Sequence, residues 1–434
     1  MEKWEQQLKN DINCPMPSLI NDRIEESLTK LPRKKRKRKI YYGLTVAIVS
    51  LLMIFGVSMI SPTFANTLKE IPVIGSAFEF VGNIGVKKGK EEGLTTELGD
   101  QINVDGHLIT FTDTLYDGGQ IHIGYLIETE RKKNNFPIHF LSNLEFLING
   151  EPIEGYGMGG NEVEFKDGTY AGTINISVRQ DVPDSFLLGI RPREKNSWYL
   201  ELPIEKKGDN QSFLVNQTKD KEDLSIFYDK VTFFPTSTEI SFRLLLNDKD
   251  FIENKYMLLD YQIIDDKGRV LQPFSSSGNS GPPKNGKVLF NFKQYYEPLK
   301  KIPKSLTIKP YFRDIQNSTP KIIKSKWAEE KLILSQGEIG HLIVFQKEVE
   351  NGVTTFFFEV EGEDLYNQAN AFWLEDITGN RYDPDHPAVR LDGTVNKYQI
   401  TFSKIPDLNE MYITTVSMTS PNFLEELEVK INIK

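Results

Sequence analysis

Five histidines, His107, His122, His139, His341 and His386, are the first places to look for acid–base or metal chemistry. None forms the H-E-x-x-H pattern and no two stand four apart, so no helix face can present a pair to zinc. His122 falls in the alternating stretch Ile121–Ile127, on the face opposite the apolar one, and is expected to point to solvent. Asp383-Pro384-Asp385-His386 puts two carboxylates and an imidazole in one loop, a set able to hold a cation, although such loops are more often solvated turns. Gly155-Tyr156-Gly157-Met158-Gly159-Gly160 has the glycines of a phosphate loop but neither its lysine nor its strand–helix setting, so a flexible hairpin loop is expected. Neither G-x-S-x-G nor S-x-x-K with its partners occurs. Cys14 is the single cysteine; it has no disulfide partner and no nearby histidine. No catalytic, cofactor or metal site is expected, and the chain does not read as an enzyme.

The elements that would position any site are set by Ile40–Ile60, IYYGLTVAIVSLLMIFGVSMI, which contains no charge. About 20 apolar residues at 1.5 Å each cross the ~30 Å hydrocarbon core of a bilayer. Before it runs an unbroken basic block, Arg33-Lys34-Lys35-Arg36-Lys37-Arg38-Lys39, and nothing comparable follows. That asymmetry places the N-terminus in the cytoplasm and everything after Ser61 outside, with the block against anionic lipid. The rival reading is a cleaved leader ending near Thr63-x-Ala65. Roughly 65 residues far exceeds the usual 15–30, so an uncleaved membrane anchor is expected. Of the net charge of −9, residues 1–32 contribute −2 and the basic block +7, which leaves −14 for the outer part. An acidic outer region argues against nucleic acid as a partner.

Residues 1–32 carry two amphipathic stripes. Trp4, Leu8 and Ile12 recur at helical spacing, the pattern breaks at Cys14-Pro15-Met16-Pro17, and Ser18 can cap a second helix bearing Ile20, Ile24, Leu28 and Leu31. So short a piece cannot bury these faces itself. The second stripe is therefore the candidate surface for a cytosolic partner, with a tail lying along the lipid as the plainer reading.

Beyond a connector at 61–97, which thins into a charged linker over Val86–Glu97, the chain repeats itself three times. Alternating strands are expected at Ile121–Ile127, at Ile240–Leu246 and at Phe356–Val360. Each is followed by a strand ending in a Gly turn (Leu144–Ile148, Leu259–Ile264, Phe372–Ile377), then a third (Tyr170–Val178, Val288–Phe292, Tyr398–Phe402). A last strand follows each of Val182-Pro183, Ile302-Pro303 and Ile405-Pro406. A period of roughly a hundred residues denotes tandem domains, not a solenoid. The expected fold is mainly β, with one transmembrane helix, a short helical cytoplasmic segment and three tandem immunoglobulin-like β-sandwich modules over 98–210, 220–325 and 330–434. Asp209–Asp223 is read as the linker between the first two.

The membrane-proximal words SPTFANTLKEIPVIGSAFEFVG, after a basic block and one span, resemble a family of uncharacterised Gram-positive single-pass membrane proteins. Its members are commonly encoded beside extracytoplasmic-function sigma factors, so the resemblance implies an anti-sigma-factor-like negative regulator with sandwich-type outer modules. The expected partners are membrane lipid, a cytosolic sigma factor and an unknown extracytoplasmic ligand. The alternative is a membrane-anchored surface protein whose modules bind a cell-wall component or another protein.

Overall fold

Alternation of apolar and polar side chains dominates from residue 95 onward, and that is where the strands form. The computed structural model describes residues 76–434 apart from 82, 105, 129–142, 166–168, 194–197, 250–258, 313–319, 328–330, 351, 404, 406–409 and 434. The predicted cytoplasmic segment (1–32), with Ile20, Ile24, Leu28 and Leu31, lies outside the described residues. So do the basic flank Arg33–Lys39, the predicted span 40–60 and the connector to residue 75. Among the described residues no helix is long and apolar enough to cross a membrane. The fold is mainly β.

Helices α1 (Ala77–Val81) and α2 (Ile84–Glu91) precede ten strands: β1 (Thr95–Glu97), β2 (Gln101–Val104), β3 (His107–Tyr116), β4 (Ile121–Glu128), β5 (Leu144–Ile148), β6 (Glu151–Pro152), β7 (Tyr156–Glu164), β8 (Tyr170–Val178), β9 (Ser185–Pro192) and β10 (Leu200–Glu205). They form one sheet in the order β1-β3-β4-β8-β7, with β2 also on β3, and a second in the order β10-β9-β5-β6. Phe111, Tyr125 and Ile174 from the first sheet meet Phe146, Leu188 and Leu202 from the second in one buried core.

The second core is built from β11 (Gln211–Lys221), β12 (Leu224–Phe233), β13 (Thr238–Asn247), β14 (Leu259–Asp265), β15 (Pro273–Ser280), β16 (Lys287–Tyr296) and β17 (Ser305–Phe312). The third uses β18 (Ile322–Lys326), β19 (Leu332–Ser335), β20 (Gly340–Glu350), β21 (Val353–Gly362), helix α3 (Leu365–Asn370), β22 (Trp373–Glu375), β23 (Arg381–Tyr382), β24 (Val389–Arg390), β25 (Lys397–Phe402) and β26 (Tyr412–Val416). The chain ends with β27 (Asn422–Phe423) and β28 (Val429–Asn432). The repeat is visible in the pairing. Orders β3-β4-β8-β7, β12-β13-β16-β15 and β20-β21-β25-β24 are equivalent, and β5-β9, β14-β17 and β22-β26 pair in the facing sheets.

The boundaries differ from 220–325 and 330–434. β18 follows β17 in the chain but pairs with β26, so Ile323 and Trp327 pack on the third core. The place it leaves beside β17 is taken by β27 and β28, which bury Leu424, Leu427, Val429 and Ile431 in the second core. Alternation states which face of a strand is apolar but not which of two equivalent sheets receives it.

Two expected linkers are also structured. Asp209–Asp223 is mostly strand β11, whose Phe213 and Val215 pack against the second core. Much of Val86–Glu97 is helix α2 and strand β1. Two glycines make α2 a weak helix in isolation, by about 1 kcal/mol each relative to alanine. Its Asn83 cap accepts a bond from Val86 N at 2.9 Å, and its glycines turn to the body. A Cβ on Gly85 would lie 1.9 Å from the Thr236 carbonyl oxygen, and one on Gly89 2.4 Å from Leu115 Cδ1. Glycine is what permits this docking, and docking holds the helix.

Candidate functional site

His122 shows what the helices do. Instead of facing solvent it is buried and shares a 2.7 Å hydrogen bond with Asn175 Oδ1. Its strand does alternate, but α1 packs on β3, β4, β7 and β8, covering the outer face with Ala77, Phe78 and Val81. Burial pushes the imidazole below its ordinary pKa of 6.5, against smaller upward pulls from Asn175 and Asp117.

Around α2 the first two cores are locked through polar groups. Asp117, fully buried in the β3–β4 turn, accepts from Thr236 N at 3.0 Å and Thr236 Oγ1 at 2.5 Å in the β12–β13 turn. Gln120 Nε2 donates to Ser177 Oγ and, at 2.8 Å, to Ser275 Oγ. Lys88 Nζ donates to the Pro235 carbonyl at 2.9 Å. Each bond crosses between segments distant in sequence.

A cleft of about 1170 Å³ opens beside this junction. One wall is α2. A second is the outer edge of the first sheet, strand β7, opposite β15 of the second core; a third is the loop 385–394 of the third. The expected hairpin loop Gly155–Gly160 is therefore mostly edge strand, pairing Tyr156 with Val178 through Glu164 with Tyr170. Its glycines serve proximity, since a Cβ on Gly157 would sit 3.0 Å from Ser277 Cβ, while one on Gly159 would meet nothing within 4 Å. Edge strands β7 and β15 touch at that point, and the backbone beyond it opens into the cleft.

Most charges in the cleft are paired. Arg390 contacts Glu297, both side chains about nine-tenths buried, and also donates to the Val270 carbonyl at 2.5 Å, clamping the third core to the second. Lys300 meets Asp392 at 2.7 Å. Lys87 is not: half buried on α2, it has no hydrogen-bond or ion-pair partner among the described residues, and burial lowers its pKa. It lies near enough to His386 for its charge to depress that imidazole, after burial and against Asp385. Gln120 also presents a buried Oε1 without a partner.

The loop Asp383–His386 does not assemble into a cation site. Asp383 binds Arg381 at 2.7 Å and Asp385 accepts from Ser403 Oγ at 2.8 Å, and no grouping of three metal-ligating side chains occurs among the described residues. His107 is buried and His341 exposed, and the two are not brought together with His386. Sequence reasoning missed Lys87, Glu297 and Arg390, which have no motif. The available signal was the pair of Gly/Ser-rich stretches, GYGMGG and SSSGNSG, marking where two backbones approach.

Residues 34–129 match a domain of unknown function (DUF4179), and residues 210–346 match a family of unknown function (DUF5643). No curated protein matches the chain. Among solved structures, a conserved domain protein from Bacillus anthracis is similar at 17% identity and a TM-score of 0.40, covering 56% of this chain and 85% of that one. Bovine butyrophilin gives 12% identity and a TM-score of 0.12, covering 45% and 85%.

Proposed function

We propose that the chain is a single-pass membrane signalling protein, an anti-sigma-factor-like negative regulator whose outer region senses an extracytoplasmic ligand. The observation that carries this reading is the docking of α2. Helix α2, in the last part of the connector, is wedged into the junction of the first two cores, and its Lys87 forms part of the cleft wall. A ligand there touches all three cores and the segment leading back towards the proposed span at Ile40–Ile60. Ligand binding that favours one seating of α2 over another biases the connector by the difference in affinity for the two seatings.

In this reading the three two-sheet units are immunoglobulin-like modules outside the cell, and Arg33–Lys39 fixes the N-terminus inside. The stripe Ile20, Ile24, Leu28 and Leu31 holds a cytosolic sigma factor at the membrane. The test is co-purification of cytosolic proteins with the full-length chain in detergent, beside the variant Ile24→Lys/Leu28→Lys. Retention of a sigma factor by the first and its loss from the second is expected. Identical profiles would overturn sigma binding and leave a surface protein that binds a wall component or another protein.

A further inference from the structure

A second pocket, of about 480 Å³, lies where the outer face of the second core's larger sheet meets the first core. Its floor is one row of directly opposed residues. Leu214 faces Lys230, Lys230 faces Ser241, Ser241 faces Lys293, and Lys293 faces Ser277, on five consecutive strands. Two residues further along, on the same face, come Arg243, Asn291 and Asn279. Arg179, just past β8 of the first core, completes the pocket from the other side.

Four cations therefore line it against one carboxylate, Asp229, within an outer region whose net charge is −14. Asp229 is already occupied by Arg243, which binds it through Nε at 2.9 Å and Nη2 at 2.6 Å. Among the described residues Arg179, Lys230 and Lys293 have no carboxylate partner, and Lys293 Nζ makes only a long 3.4 Å bond to the Val178 carbonyl. Lys230 and Lys293 sit on either side of Ser241, two strand spacings or about 9–10 Å apart. Like charges so placed repel unless an anion lies between them. Two donors are also left over: Arg179 Nε and Ser277 Oγ are buried and have no hydrogen-bond partner. Ser277 is 6% exposed, so its hydroxyl has lost water without gaining a bond.

We propose that this pocket binds a phosphate-class oxyanion carried on a small polar molecule. The anion lies over Ser241, bridging Lys230 and Lys293. It accepts from the Ser277 hydroxyl and from the Arg179 guanidinium, whose planar donor fork suits phosphate oxygens. Donors reaching it from the sheet and from Arg179 fit a tetrahedral anion better than a planar one. The remaining volume, within the range of small-molecule sites, takes the organic part. Bound there, the ligand would join the first and second cores. The assignment does not rest on the signalling reading.

The test is calorimetric titration of the full-length protein in detergent with inorganic phosphate and with glycerol 3-phosphate, and with lactate as the planar carboxylate. The variants are Arg179→Gln/Lys230→Gln, the charge-keeping Arg179→Lys/Lys230→Arg, and Lys300→Gln in the other cleft. Saturable binding of a phosphate is expected, at least about tenfold weaker in the double Gln variant, largely restored in the charge-keeping variant and unchanged in Lys300→Gln. A thermal scan checks the fold, and Lys230→Gln alone replaces the double variant if that one unfolds. Absence of saturable phosphate binding, undiminished binding by Arg179→Gln/Lys230→Gln or by the Lys230→Gln that replaces it, or lactate binding as tightly as phosphate would overturn the assignment.

Discussion

Among the described residues, core 1 draws all ten of its strands from residues 95–205, whereas cores 2 and 3 each rely on a strand that the linear order gives to the other. The difference is consequential for rigidity. A self-contained unit can rotate against its neighbour at the cost of the contacts between them. Two units that exchange strands separate only by unfolding a sheet edge. The arrangement is thus a fixed double body, cores 2 and 3, to which core 1 is held by polar side chains and by α2. Any hinge in the described part belongs at the first junction.

The largest effect should come from ending the chain after Met418. That removes Leu424, Leu427, Val429 and Ile431 from core 2, together with the carbonyl of Leu427 that accepts from Tyr228 at 2.8 Å. Burial of four such side chains is worth about 1.5–3 kcal/mol each, comparable in sum with the whole stability of a domain. Limited proteolysis should find core 2 cleaved while core 1 stays resistant. Cleavage of core 1 at the same rate would show that the two are one cooperative unit.

Next in size is Arg390→Ala, which leaves Glu297 buried without its cation and should cost about 3–5 kcal/mol. Scanning calorimetry would report it as a lowered transition of the double body. An unchanged transition would mean that the clamp between cores 2 and 3 carries no weight beside the exchanged strands.

Gly85→Ala acts on the other junction. Its methyl would meet the Thr236 carbonyl backbone, which no rotamer change can relieve. The expected cost is about 1–3 kcal/mol, appearing as faster amide exchange confined to α2. If exchange quickened throughout cores 2 and 3, the helix would be a foundation of the body and not an attachment to it.

The smallest effect is from pH. The folded pKa values of His122 and His386 lie below the ordinary 6.5, chiefly through burial. The unfolded chain therefore takes up protons first as pH falls, and stability present above pH 6.5 is lost progressively below it. Thermal scans from pH 7.5 to 5 should show the decline, and it should be shallower in His122→Asn, whose side chain carries no titratable group. A stability flat across that range would mean the two imidazoles are not desolvated.

Much of this body is legible in the sequence. Alternation in Ile240–Leu246 or Phe356–Val360 is enough to find a strand, and Ile/Val-Pro before Ser185–Pro192 and Ser305–Phe312 marks its neighbour's entry. The exchanged strands were not legible, because Ile322–Lys326 fits beside β17 as well as beside β26 by pattern alone. His122 was misread for a related reason. Period-2 alternation says which face of a strand is apolar, and a helix at Ala77–Val81, far upstream of His122, decides whether the other face is wet. The cleft was hidden because Lys87, Gln120, Glu297 and Arg390 come from four elements and matter through burial and missing partners, which spacing does not encode. Only Gly157 and the serines near Ser277 left a trace, as stretches too small-chained for an ordinary strand interior.

Sensing through the connector requires α2 to move with the β body, since a helix that frays from it could neither wall the cleft nor pass on what binds there. Amide hydrogen exchange on the full-length protein in detergent measures this directly. Protection of Val86–Glu91 comparable to that of β3 and β4 is the predicted result. Exchange over Val86–Glu91 as fast as in an unstructured linker would contradict the account.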